Sequence, residues 1–214
     1  MEGLVNLLNR QVQQATTTRF NLTDYNHKEL ENMLLTCYQA EVIKRRMEMS
    51  QDSVTEDRIR KAAKWLSGNH KTGLLIYGAN CGTGKTTLAN SMCTLVNYLF
   101  DSVYSQERKI VYRTTAINLV KMYSDSPEQY NRMVSQELLF IDDLGTEQVN
   151  IKIYGNEFSP VTELIYNRYD KQRWTIVTSN LSDEQLKERY GTRIDDRLRE
   201  MFDRILFQGK SYRK

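Results

Sequence analysis

The sequence predicts an α/β fold on a parallel sheet, and three segments predict it. Leu74-Leu75-Ile76-Tyr77 is an apolar run that passes through a Gly-rich turn into a helix opening near Lys85. Leu138-Leu139-Phe140-Ile141 is a second apolar run, and it ends in Asp142 and Asp143. Trp174-Thr175-Ile176-Val177-Thr178 is a third, with Ser179 and Asn180 at its end. Short apolar runs separated by helical patterns indicate strands buried on both faces. Ligands of such sheets bind outside the carboxyl ends of the strands, where all three polar clusters fall.

The first cluster is the most specific. In Gly82-Thr83-Gly84-Lys85-Thr86-Thr87 the two glycines let backbone N–H groups turn inward around an anion. Lys85 supplies a point charge for outer phosphates, and Thr86 places a hydroxyl where Mg²⁺ would sit. The helix N-terminus adds orphan N–H groups and the positive end of its dipole. A P-loop has Gly, then four residues, then Gly-Lys-Thr, which puts Ala79 at the first glycine and leaves Gly78 one position early. Either the turn carries one extra residue, or Ala79 is tolerated at negative φ.

The elements follow in order. Residues 1–20 are polar, with Leu4, Val5, Leu7 and Leu8 as one apolar group that suits a helix start or a docking segment in a disordered tail. Leu30, Met33, Leu34, Cys37, Tyr38, Ile43 and Met47 recur at helical spacing, predicting an amphipathic helix from about 28 to 49. Ser53 or Thr55 is the expected cap of the next helix, whose stripe is Ile59, Ala62, Ala63 and Leu66 with Trp65 beside it. After the P-loop helix, which runs to about Phe100, a polar stretch from 101 to 109 precedes a strand at 110–112. A helix from 116 with Leu119, Val120 and Tyr123 is interrupted by Pro127, and a short helix covers 127–135. Residues 145–156 read as a loop, and Pro160 opens a helix to 170. Ser182 or Asp183 caps a helix broken by Gly191; Arg193, Arg197 and Arg199 lie in the next one. A strand at 204–207 and a basic tail to Lys214 close the chain.

Composition sets outer bounds. The 214 residues hold 30 basic and 27 acidic side chains and two histidines, a net charge of +3 that permits a nucleic-acid partner without demanding one. Cys37, Cys81 and Cys93 are too few and wrongly spaced for a zinc site or disulfide framework, which suits a reducing compartment. Lacking a membrane-length apolar run or a signal-peptide core, the chain is expected to be cytoplasmic, with no membrane partner.

Residues 68–213 resemble the AAA+ helicase-loader and transposition-helper ATPases, the DnaC and IstB group. The resemblance rests on residues 82–86, on Leu139-Phe140-Ile141-Asp142-Asp143-Leu144-Gly145, on Thr175-Ile176-Val177-Thr178-Ser179-Asn180-Leu181, and on Gly209-Lys210-Ser211-Tyr212-Arg213. It implies a five-stranded parallel sheet in order 5-1-4-3-2, no C-terminal lid domain, and ATP at a subunit boundary. It divides the chain into a helical N-terminal partner-docking region, 1–67, and an ATPase domain, 68–214. The family's P-loop lysine falls on Lys85, its magnesium hydroxyl on Thr86, its two acids on Asp142 and Asp143, and its sensor on Asn180. Its trans-acting arginine falls on Arg197, with Arg193 one turn earlier as an accessory. Asp143 stands where the wider class has Glu.

The implied function is an ATP- and Mg²⁺-dependent helicase loader in DNA replication, a homo-oligomer on ATP or DNA that grips a replicative helicase through its N-terminal helices. A transposase partner for an IstB-type helper uses the same domain, and a nucleotide-dependent scaffold with little hydrolysis is a third reading. Single-stranded DNA is expected at the helix from 116 to 123, with Arg113, Lys121 and Arg132 for phosphates and Tyr112 or Tyr123 for bases. Against this stands Tyr123 as a core residue on a solvated basic face.

Overall fold

The computed structural model describes residues 2–17, 20, 22, 24–49, 52–68, 70–102, 109–209 and 211–212. Asn69, most of the expected polar stretch 101–109, and Lys210, Arg213 and Lys214 of the tail lie outside the described residues. Three helices open the chain: α1 (Glu2–Thr17), α2 (His27–Lys44) and α3 (Ser53–Leu66). Next come β1 (Gly73–Tyr77), α4 (Lys85–Ser102), β2 (Tyr112–Thr115), α5 (Ala116–Asp125), α6 (Pro127–Ser135) and β3 (Leu139–Leu144). The hairpin β4 (Ile151–Ile153) and β5 (Asn156–Phe158) follows, then α7 (Pro160–Asp170), β6 (Thr175–Ser179), α8 (Asp183–Tyr190), α9 (Thr192–Met201) and β7 (Phe202–Leu206).

The main sheet is parallel, in order β2-β3-β6-β1-β7. Numbering its five strands along the chain, this is the expected 5-1-4-3-2. Successive strand residues face opposite layers. Leu74 and Ile76 therefore join a core with α2, α3 and α4, while Leu75 joins a second core with α5, α6, α7 and α9. Phe140 and Ile176 belong to the first, and Ile141 and Val177 to the second. Within residues 1–67, α2 and α3 thus bury Leu30, Leu34, Ile59 and Leu66 against α4, whereas Leu4, Val5, Leu7 and Leu8 of α1 are each about half exposed.

Several local expectations are corrected. Helix α2 ends at Lys44 rather than near 49, because Arg46 turns the chain through a left-handed φ of 54°. Asp52, not Ser53 or Thr55, caps α3 by accepting the Thr55 N–H at 2.7 Å. The strand expected at 110–112 lies at 112–115, and the expected loop 145–156 contains most of a hairpin, in which Tyr154 has φ 50° and Gly155 φ 83°.

Arg168 of α7 is a structural element that composition does not reveal. It is fully buried, and its guanidinium donates to the carbonyls of Val134, Gln136, Glu137 and Trp174 and to the Thr175 hydroxyl. Burial, with Arg173 nearby, lowers its pKa to about 9, so it stays cationic at neutral pH. It pins the turn before β3 to the start of β6.

Candidate functional site

At the carboxyl ends of β1, β3 and β6 lies a cleft of about 340 Å³. The turn between β1 and α4 forms its floor. Gly82 and Gly84 have φ of 75° and 96°, the backbone reversals that aim successive N–H groups into a concavity. Lys85 is buried and donates from Nζ to the carbonyls of Gly78 at 2.9 Å and Asn80 at 2.7 Å, so its charge lies inside the turn. The displaced first glycine also finds its reason. Ala79 is absent from the residues with positive φ, while Gly78 has φ 150° and a Cβ there would meet the Phe207 carbonyl oxygen at 2.1 Å. Gly78 serves the approach of the chain after β7, where the Phe207 N–H donates to the Tyr77 carbonyl at 2.7 Å.

The acids sit across from this turn. Thr86 Oγ1 donates to Asp142 Oδ1 at 2.9 Å, and Asn180 Nδ2 donates to Asp143 Oδ1 at 3.1 Å. Thr83 and Thr87 line the same cleft. A hydroxyl and a carboxylate in contact beside a nest of N–H groups form a hard-oxygen donor set, which fits Mg²⁺ with a phosphate chain and would suit a softer metal poorly.

One wall comes from a region expected to serve only docking. The turn that ends α2 brings Met47 and Met49 to the cleft beside Tyr38 and Val42. A Cβ on Gly84 would meet the Tyr38 hydroxyl at 2.9 Å, and burial raises that phenol to about 12. The tail closes over the same place. The Tyr212 N–H donates to the Gly82 carbonyl at 2.9 Å, and its hydroxyl reaches Asp52 at 3.2 Å and Thr55 at 3.3 Å. Tyr38 has the period of a core position, and only the fold distinguishes it from its neighbours on that stripe.

Arg193 and Arg197 do not line this cleft. They lie on α9 around a separate depression with Tyr166 and Asp196. The Arg197 guanidinium stands 4.3 Å over the Tyr169 ring and pairs with Glu200 at 3.1 Å. Both arginines therefore lie outside the cleft of their own chain. The candidate DNA residues divide. Lys121, Arg132 and Tyr112 are exposed. Arg113 is exposed too, but its guanidinium donates to Asn90 at 3.1 Å and Thr94 at 3.3 Å on α4. Tyr123 packs against Tyr130 and Phe158, with ring centroids 4.9 and 5.6 Å away, so the core reading fits it better than base stacking.

Two buried residues carry no signal in the sequence. The Thr178 hydroxyl bonds both acids of β3, donating to Asp142 and accepting from the Asp143 N–H at 2.9 Å. Glu147 accepts from the Gly145 N–H at 2.9 Å and from the Tyr190 hydroxyl, joining the end of β3 to α8. Among the described residues, no helix is long and apolar enough to cross a membrane.

No family model matches the sequence, and no curated protein does. Solved structures do share its fold. The DnaC helicase loader superposes with a TM-score of 0.58 at 17% identity over 75% of this chain and 94% of its own. DnaI gives 0.57 at 18% identity over 78% and 88%. AMPPCP-bound DnaA from Aquifex aeolicus gives 0.50 at 17% identity over 76% of this chain and 48% of its own. The resemblance to DnaC-type AAA+ proteins thus holds at the level of the fold.

Proposed function

We propose that the chain is an ATPase of the helicase-loader type, hydrolysing ATP to ADP and phosphate between neighbouring subunits. The observation that carries this reading is the Thr86–Asp142 hydrogen bond, made beside a buried lysine and a glycine turn of left-handed φ. In this reading the N–H groups of residues 82–87 and the Lys85 ammonium hold the phosphates. Thr86 and Asp142 hold Mg²⁺, which offsets charge on the outer phosphate oxygens. Asp143 polarises the attacking water, and Asn180 orients that water or touches the γ-phosphate. Arg197, with Arg193 as accessory, reaches the ATP of an adjoining copy, because hydrolysis spreads charge to oxygens on the side away from the P-loop.

The fold shared with DnaC and DnaI supports the loader role, and the exposed Leu4, Val5, Leu7 and Leu8 offer an apolar stripe on α1 for a partner. Single-stranded DNA would meet Lys121, Arg132 and Tyr112. The test is co-purification of the intact chain, and of a Leu4→Asp, Leu8→Asp variant, from cells that contain both a hexameric helicase and a transposase. Capture of the helicase by the wild type alone supports the loader. Capture of the transposase replaces it with the transposition helper, and a turnover-free protein that binds both nucleotide and partner would be a scaffold.

A further inference from the structure

Two adjacent acids at the end of one strand pose a geometric problem. In a regular strand successive side chains point to opposite faces, so Asp142 and Asp143 could not both meet one ligand. Here both line the same cleft. The pairing of β3 with β6 explains how. It runs Phe140↔Ile176 and Ile141↔Val177, then resumes at Leu144↔Ser179. Three residues of β3 (142, 143, 144) thus advance against two of β6 (178, 179). This is a β-bulge, which leaves one residue out of the ladder and re-aims its side chain. Asp143 is that residue, with a left-handed φ of 56°.

A bulge leaves a backbone N–H without its ladder partner, and in a buried place that N–H must be satisfied. Thr178 is fully buried and stands opposite the bulge. Its hydroxyl accepts the Asp143 N–H at 2.9 Å and donates its own proton to Asp142 Oδ1, the oxygen that Thr86 also reaches. A hydroxyl is the smallest group that can accept from one neighbour and donate to the next.

We propose that Thr178 is a positioning residue for both acids, its one hydroxyl holding the bulge that turns Asp142 and Asp143 into the cleft together. This rests on the cleft being the site of ATP hydrolysis. Its range is set by the alternatives at the position: valine keeps the shape and loses both bonds, whereas serine keeps both bonds and loses a methyl.

The test compares Thr178→Val, Thr178→Ser and Lys85→Ala in the full-length chain. Each is measured for ATP turnover and for affinity to a non-hydrolysable ATP analogue, with Mg²⁺ and with EDTA. The Val variant should lose about tenfold or more in kcat, the scale for a buried group left unsatisfied. Its analogue affinity in EDTA should stay within about twofold, while the gain in affinity on adding Mg²⁺ shrinks. The Ser variant should match the wild type in all three. A merely structural threonine would lower stability without separating kcat from binding, and serine would not rescue it. Wild-type kcat and Mg²⁺ response in the Val variant, or a Ser variant as impaired as Val, overturns the inference. If the Val variant does not fold, Thr178→Ala is judged by the same criteria. Lys85→Ala keeps the two ideas separable. Unchanged analogue affinity there removes the cleft reading itself, whereas loss of affinity there beside a normal Val variant removes only the role of Thr178.

Discussion

At the carboxyl ends of β1, β3 and β6 the polar side chains are buried or half-buried and bonded to one another, whereas Arg197 and Arg199 of α9 keep 38% and 55% of their side chains exposed and pair with acids of their own helix. Lys85 is 5% exposed and held by two carbonyls, and the Asp142 carboxylate is held by two threonine hydroxyls. Arg197, with 38% of its side chain exposed, leans on Tyr169 and Glu200. Charges in a low-dielectric pocket hold their geometry, while an exposed pair is weak and screened by salt. The first region is preorganised within one chain. The second is held by exposed pairs, which the proposed contact in trans would exchange for a phosphate.

The sharpest test of this contrast is Arg197→Ala, expected to lower turnover by about a thousandfold while leaving nucleotide affinity almost unchanged. Mixing it with Lys85→Ala should restore hydrolysis, since one pairing joins an intact P-loop to an intact arginine. A mixture as inactive as its parts, with both variants shown to assemble, would return Arg197 to surface pairing. Lys85→Ala by itself should weaken ATP binding by roughly ten- to a hundredfold, because a charge-assisted hydrogen bond to phosphate is removed. Titration with a labelled analogue measures it, and equal affinities would sink the phosphate-cradle reading.

Gly78→Ala probes the preorganised region through stability. The added Cβ meets the Phe207 carbonyl, so about 3 kcal/mol should be lost to overpacking and backbone strain, roughly 6–12 °C in Tm. An unchanged melting curve would mean that the chain after β7 does not need its close approach to the turn. The smallest effect is expected at the exposed basic residues. Replacing both Lys121 and Arg132 with Gln should weaken single-stranded DNA binding and flatten its salt dependence, by about 0.7 in log–log slope for each phosphate no longer neutralised. No change in either quantity would leave them as solvated surface charge.

What the sequence determined by itself is what local chemistry encodes. The P-loop turn, the acidic end of β3, the proline starts of α6 and α7 and the Gly191 break between α8 and α9 each depend on a few adjacent residues. Those residues have distinctive conformational or hydrogen-bonding preferences, so their positions are legible without the rest of the chain. The β4–β5 hairpin was not, because its turn places a tyrosine at a left-handed φ that residue preferences disfavour. Tertiary structure decided what depends on residues far apart in the chain. It brought the end of α2 and Tyr212 to the cleft beside the glycine turn, packed Gly78 against the chain after β7, and set Thr178 opposite a bulge. It also drew Arg113 onto α4 and buried Arg168 among carbonyls. Threonine and arginine look the same in a sequence whether they face water or a missing ladder bond. Only the packed sheet specifies which backbone groups are left for them to satisfy.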